Sequence, residues 1–179
     1  MLERGLFPDL VEQGIPFFGY RSNAYWIDIG NPKDYLKLHH DLLMGKTTAC
    51  FPGKPIADDI WIEEGCKIHP SVKLIGPIAI GKNCIIEKDV RISGPTVLGP
   101  NCYIGQDVTI DEAILWQSVR LEKNVTVKNS VVGNNSVIGE NTWVTDGSIL
   151  SDDTYIGSGN KLQHGIKVWA GTTIEDNAI

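Results

Sequence analysis

A chain of 179 residues is long enough for one domain with a small appendage, and its 42% hydrophobic and 21% charged residues are ordinary for a globular protein. The formal net charge of −6 argues against a nucleic acid or an anionic membrane as partner, because phosphate groups would be repelled. The sequence has no apolar run of membrane-spanning length and no signal-peptide core, so we expect a cytoplasmic protein whose four cysteines stay reduced.

The first 45 residues alternate between helical and strand-like patterns. The run FPDLVEQG predicts a short helix, whereas FFGY and AYWIDIG have the composition of strands. A second helix is predicted over residues 32–44, because Asn31 can cap it, Pro32 suits the first helical position and Gly45 can end it. Its apolar stripe would pack on a sheet or cover the open base of the repeat region that follows. The stripe consists of Tyr35, Leu36, Leu38, Leu42 and Leu43.

After a predicted linker at residues 46–55, the sequence becomes repetitive. An aliphatic residue recurs every six positions from Ile62 to Ile110, and again from Ile138 to Ile174. Between these runs the series continues with two intervals of five, through Trp116, Leu121, Val127 and Val132. This pattern predicts short strands whose aliphatic side chains all point to one interior, interrupted by two deletions of one residue.

Three residues after these aliphatic positions the sequence favours residues that tolerate a left-handed backbone, which predicts sharp corners. They are Gly65, Asn83, Asp89, Asn101, Asp107, Asn124, Asn135, Asn141, Gly147, Asp153, Gly159, Gly165, Gly171 and Asn177. Hexads such as IGKNCI and LGPNCY resemble the hexapeptide repeat of left-handed parallel β-helices. We therefore predict a mainly β protein: a β-helix of about seven coils over residues 56–179, roughly 33 Å tall, preceded by a short α/β segment.

Three cysteines lie 18 residues apart, one coil each, so Cys66, Cys84 and Cys102 should stack in a column. A soft-metal site or a redox pair is one interpretation. However, a straight column does not supply the tetrahedral arrangement that zinc prefers. The other interpretation is that this position of each coil requires a small apolar side chain, which cysteine provides.

Two histidines of the repeat region raise an alternative function. Many left-handed β-helix proteins are acyltransferases that use a coil histidine as general base, which draws attention to His69 and His164. Such enzymes usually carry a long loop that interrupts the hexads, and the spacing here never departs by more than one residue. We expect both histidines to be polar surface residues.

The front segment carries a resemblance to a known family. The run LFPDLVEQG, followed by FFGYRSNAYWIDIGNPKDYLKLHHDLL and then by hexads, resembles the C-terminal half of nucleoside-diphosphate-sugar pyrophosphorylases. Mannose-1-phosphate guanylyltransferase and its glucose-1-phosphate relatives are the nearest match, on the signature YW-x-DIG-x-P-x-DY. The resemblance implies that residues 1–45 are the C-terminal end of a catalytic domain, that residues 46–55 are a linker, and that residues 56–179 form the β-helix.

The same resemblance implies a reaction in which NTP and sugar-1-phosphate give NDP-sugar and pyrophosphate. It makes Asp28 a ligand of the Mg²⁺ that the parent enzyme uses, together with a second carboxylate from a nucleotide-binding half absent here. We therefore expect the chain alone to bind Mg²⁺ weakly and to be inactive, with the β-helix serving regulation or homo-oligomer assembly, as a dimer or trimer. The alternatives are an acyltransferase acting on an amino sugar, or a non-catalytic scaffold paired with a separate catalytic chain.

Overall fold

The helices form where the sequence predicts them. The computed structural model describes residues 2–48, 54–57 and 59–179, so residues 49–53 of the predicted linker lie outside the described residues. A 3-10 helix, Leu2–Arg4, precedes α1, Leu6–Glu12, and α2 spans Pro32–Leu43. The side chain of Asn31 caps α2 by accepting a hydrogen bond from the backbone N–H of Asp34 at 3.0 Å.

The two strand-like runs at the front of the chain do not form strands. Residues 15–30, which include FFGY and AYWIDIG, are irregular, and this prediction is wrong. Strand composition alone is a weak signal, because a strand needs a neighbour that completes its hydrogen bonds, and none of the described strands lies beside these runs.

The rest of the described chain contains 21 short strands joined by turns. They are β1 Lys54–Ala57, β2 Ile60–Ile62, β3 Lys67–Ile68, β4 Lys73–Ile75, β5 Ile78–Ile80, β6 Ile85–Ile86, β7 Arg91–Ser93, β8 Thr96–Leu98, β9 Tyr103–Ile104, β10 Thr109–Asp111, β11 Ile114–Leu115, β12 Arg120–Leu121, β13 Thr126–Lys128, β14 Val131–Val132, β15 Val137–Ile138, β16 Trp143–Val144, β17 Ile149–Leu150, β18 Tyr155–Ile156, β19 Lys161–Leu162, β20 Lys167–Val168 and β21 Thr173–Ile174.

These strands form the three faces of a triangular solenoid. The first face has the order β1-β2-β5-β8-β11-β14-β17-β20, the second contains β3 to β21 in steps of three, and the third contains β4 to β19 in steps of three. Only β1 pairs antiparallel, with β2, whereas the other described pairs are parallel. The prediction of a mainly β, parallel β-helix is confirmed, with about six complete turns where about seven were expected.

The interior is a stack of aliphatic layers, as the six-residue period predicts. Ile92, Ile104 and Ile110 are fully buried, and so are Leu121 and Val127 in the next coil. One assignment is wrong: Leu115 fills the interior, while Trp116 lies outside and is 40% exposed. The first interval of five therefore falls between Ile110 and Leu115. Both shortened intervals consequently lie at the corner where the chain passes from the third face to the first.

The predicted corners are confirmed at every position, since all fourteen residues have positive φ angles. Five further residues of the solenoid share this conformation: Glu112, Ser118, Asn129, Asp146 and His164. Glu112, Ser118 and Asn129 lie in the shortened coils, where the six-residue frame slips. Asp146 and His164 each precede a glycine that is itself left-handed, so these corners use two such residues in succession.

We expect the interior layer to dominate stability. The substitution Ile110→Ala removes a fully buried side chain from β10 and should lower the free energy of unfolding by about 3 kcal/mol. The adjacent substitution Thr109→Ala, on the outer side of the same strand, should cost less than about 1 kcal/mol. Urea unfolding followed by far-UV circular dichroism measures both. Equal losses would contradict the placement of the core.

Candidate functional site

Helix α2 is attached to the first face of the solenoid. The outward residues of this face form an apolar column: Trp61, Ala79, Val97, Ile114, Val131 and Ile149, ending at Lys167. Leu36 of α2 is buried against Ile114 and Val131, with Tyr35 packed beside them. The outward columns of the other faces contain charged side chains, such as Arg120 on the second. The apolar column explains why the helix docks on this face.

The position of α2 on the first face confirms one of the two predicted packing sites and corrects the other. The helix packs through its apolar stripe on a sheet, which was one of the two predicted places. It does not cover the open base of the solenoid, because Leu36 contacts strands in the middle of the first face, β11 and β14. The physical reason is that the outward column offers apolar area to the stripe over several coils.

A buried carboxylate ties three segments together at the inner side of α2. Asp41 accepts hydrogen bonds from the hydroxyl of Tyr25 at 2.9 Å, from the ammonium group of Lys46 at 2.7 Å and from that of Lys37. Its side chain is 3% exposed. The hydrogen bonds from Lys37, Lys46 and Tyr25 lower the pKa of Asp41 well below its ordinary value, so the carboxylate stays charged. The cluster fixes the irregular segment, the helix and the residues after it.

A groove with a volume of about 740 Å³ separates α2 from the solenoid. One wall is α2 with Lys46, and the other is the corner between the third and first faces, in four successive coils. Two of these corners, at Glu112 and Asn129, are the shortened ones, and the next two contribute Gly147 and Gly165, which have no side chains. The groove therefore arises where the repeat loses residues or side-chain volume.

The groove is lined by more positive than negative charge. Four lysines, at positions 33, 37, 46 and 167, face two carboxylates, Asp41 and Glu112. The ring of His40 also lines it, and the Nε2 atom of that ring is buried without a hydrogen-bond partner among the described residues. An unpaired buried polar atom of this kind costs about 1–3 kcal/mol, which a suitable ligand group would offset. The neighbouring His39 is half-buried, and this burial lowers its pKa.

The proposed metal ligand Asp28 lies in the irregular segment with an exposed side chain. Over residues 2–48, 54–57 and 59–179, no group of three or more His, Cys, Asp or Glu side chains comes together in a way that could hold a metal ion. Mg²⁺ takes six oxygen ligands, several of which can be water, but it is normally held by more than one carboxylate or phosphate.

The histidines and cysteines of the solenoid take the structural roles that the spacing favours. His69 and His164 are both exposed, and His164 occupies a left-handed corner, a conformation that histidine tolerates better than most residues. The thiols of Cys66, Cys84 and Cys102 each donate a hydrogen bond to a backbone carbonyl of the next coil, at 3.1 to 3.2 Å. Burial raises the pKa of Cys66, so its thiol stays protonated. The column acts in packing.

Sequence reasoning missed the residues that build the groove. Lys37 and Asp41 are four positions apart on a predicted helix, a spacing that typically gives a surface ion pair, so the pattern gave no sign of burial. The contribution of Tyr25 and Lys46 depends on how the chain folds around the helix ends. Lys167 lies 130 residues from Lys37, and only the solenoid brings it to the groove.

The comparisons with known proteins agree with this architecture. The class defined by the fold is the hexapeptide-repeat, left-handed β-helix. The sequence model for the EIF2B subunit epsilon LbH domain matches residues 57–162, more than half of the chain, and the chain belongs to this family. No curated protein matches the chain. None of the described helices is both long and apolar enough to cross a membrane.

Several solved structures share the fold at low sequence identity. The acetyltransferase domain of PglB from Neisseria gonorrhoeae FA1090 is 18% identical, with a TM-score of 0.52, over 66% of this chain and 55% of that one. The structure of the same domain in complex with acetyl coenzyme A is 17% identical, with a TM-score of 0.51, over the same shares of the two chains. PerB from Caulobacter crescentus, in complex with CoA and GDP-perosamine, is 20% identical over 62% of this chain and 51% of that one, with a TM-score of 0.38. The matches thus span about half of those chains.

We expect the Asp41 cluster to make the attachment of α2 depend on pH. Because the pKa of Asp41 is lowered in the folded state, its stabilisation is present above the ordinary pKa of 3.8 and is lost as the pH falls through the folded-state pKa. The substitution Asp41→Asn should reduce hydrogen-exchange protection in α2 about tenfold at neutral pH. The difference from the unmodified protein should shrink in strong acid.

Hydrogen exchange read by mass spectrometry over residues 32–43 measures this effect. Asp9→Asn is the matched control, because Asp9 is an exposed carboxylate on the short helix α1. Unchanged protection of α2 in Asp41→Asn at neutral pH would show that the cluster does not hold the helix.

Proposed function

We propose that this chain is the C-terminal part of a sugar-phosphate nucleotidyltransferase, of the GDP-mannose type. The whole enzyme would convert NTP and sugar-1-phosphate to NDP-sugar and pyrophosphate. The observation that carries the proposal is the attachment of α2 to the first face. Leu36 packs α2 of the segment with the YW-x-DIG-x-P-x-DY signature on the solenoid, and the Asp41 cluster ties Tyr25 of the same signature to α2. The solenoid would thus position the last elements of a catalytic domain.

The irregular segment offers a surface for the rest of that domain. Phe18, Tyr20 and Trp26 are 87%, 95% and 81% exposed, all within nine residues of one another. Burying an aromatic side chain of this size contributes about 2–3 kcal/mol, so a cluster of exposed aromatic side chains favours a protein partner. The nucleotide-binding half of the enzyme is the partner that the family resemblance implies.

The roles of Mg²⁺ and of oligomerisation belong to the same proposal. Asp28 lies in this segment, so a carboxylate of the catalytic half that docks there could complete a Mg²⁺ site with it. The second face of the solenoid presents Ile85, Tyr103 and Tyr155 outward, which suits contact between copies of the chain as a dimer or trimer. The chain alone would be inactive.

Activity and partner capture test this function together. The isolated chain, given GTP, mannose-1-phosphate and Mg²⁺, should release no pyrophosphate. Used as bait, it should capture the nucleotide-binding half of the enzyme, produced as a separate polypeptide with a glycine-rich G-x-G-T-R-type loop, and the complex should release pyrophosphate. Replacing Phe18 and Trp26 by serine should weaken capture about tenfold or more.

Trp169→Ser is the matched control, because Trp169 is 83% exposed but lies on the solenoid. Turnover by the isolated chain would contradict the predicted inactivity. Capture of a separately encoded catalytic chain from an extract of its source cells would instead favour the scaffold alternative. Equal capture by the Phe18/Trp26 variant and the Trp169 control would show that the aromatic segment is not the docking surface.

An acyltransferase acting on an amino sugar is the second candidate. It is favoured by the fold similarity to the acetyltransferase domain of PglB, one structure of which contains acetyl coenzyme A. In this case a coil histidine would act as general base, and His164 is exposed at a corner where a substrate could reach it.

Calorimetry with acetyl coenzyme A distinguishes the two candidates. The nucleotidyltransferase proposal predicts no binding to the isolated chain. Binding that is lost in His164→Ala but retained in His69→Ala would favour the acyltransferase. The second variant is a suitable control because His69 is also an exposed coil histidine, held only by its ring contact with Ser71 at 2.9 Å.

A further inference from the structure

We infer that the groove between α2 and the solenoid is a binding site for a small phosphorylated molecule. Its volume of about 740 Å³ lies within the range of about 300–1,000 Å³ that is typical of small-molecule sites. The inference rests on the groove alone and is independent of the proposed nucleotidyltransferase function.

The charge of the groove is opposite to that of the chain. The chain has a formal net charge of −6, yet four lysines line this groove against Asp41 and Glu112. Asp41 does not repel an anion strongly, because Lys37 and Lys46 both contact it directly. Each ammonium group has three N–H donors, so both lysines keep donors beyond those that Asp41 accepts. Glu112 is the remaining negative group of the lining.

Two further lysines lie on opposite walls. Lys33 is in the first turn of α2 and Lys167 is in β20, at the point where the apolar column of the first face ends. Both side chains are exposed, and neither forms an ion pair with any described residue. Their ammonium groups are therefore available to a ligand, and an anion between the walls would be bound by both through charge-assisted hydrogen bonds.

The remaining lining specifies the ligand further. Leu36 and Ile149 give the groove an apolar part, which suits the carbon skeleton of a phosphate ester. A phosphate monoester carries between one and two negative charges near neutral pH and offers three acceptor oxygens, which matches several separate donors better than a single carboxylate does. A long polyanion such as a nucleic acid is disfavoured by the charge of the chain as a whole.

Titration with inorganic pyrophosphate, followed by calorimetry and thermal unfolding, tests the site on the whole chain. Pyrophosphate should bind, raise the melting temperature and bind more weakly as salt is added. Lys33→Gln and Lys167→Gln should each weaken binding about tenfold, and the double variant should weaken it further. Both variants should fold normally, since neither lysine has a structural partner, and circular dichroism checks this.

Lys123→Gln is the matched control, because Lys123 is exposed on the solenoid away from the groove, and it should leave binding unchanged. Absence of pyrophosphate binding would overturn the inference, as would equal weakening by Lys123→Gln and the groove variants. Equally tight binding of sulfate or citrate would also overturn it, because the groove would then select anions in general. These measurements need neither catalysis nor a protein partner. The inference can therefore fail while the proposed function stands, and the proposed function can fail while the inference stands.

Discussion

The burial of one aliphatic side chain per strand, with three strands in each coil of 17 or 18 residues, is the constraint on which the rest of the structure depends. Each coil is too small to bury its interior alone, so its layer is covered only by the coils above and below it. The backbone hydrogen bonds between coils require the layers to stay in register. A left-handed residue turns the chain at most vertices without loss of that register, which is why asparagine, aspartate and glycine recur there.

The two shortened coils show how much this constraint tolerates. Both lose a residue at the same corner, so Ile110 and Val127 stay aligned in the third face, and Leu115 and Val132 stay aligned in the first. The aliphatic interior is preserved, and the missing residues change only the outer surface of the corner. The corner with the missing residues becomes one wall of the groove. A change that is neutral for the core thus shapes a concave surface on the outside of the solenoid.

The exterior of the solenoid decides where the front segment lies. A triangular prism has three flat faces, and only the first has an outward column that is apolar over six coils. Helix α2 covers part of that column, and the Asp41 cluster then holds the residues on either side of the helix. Both the proposed docking of a catalytic half and the proposed anion site follow from this single attachment. The first uses the exposed aromatic side chains of the segment, and the second uses the groove between α2 and the solenoid.

The sequence by itself determined the solenoid, because a six-residue period records directly which side chain faces the interior and which residue turns the corner. It also determined α2, since Asn31, Pro32 and the apolar stripe are local signals. It misplaced Leu115 by one position, because a deletion in a short repeat leaves two neighbouring residues that fit the frame. Only the tertiary structure decided that α2 lies on a face and that Asp41 is buried between two lysines. The reason is physical: these contacts join residues from separate coils and segments, and their energy depends on surfaces that exist only once the coils have stacked.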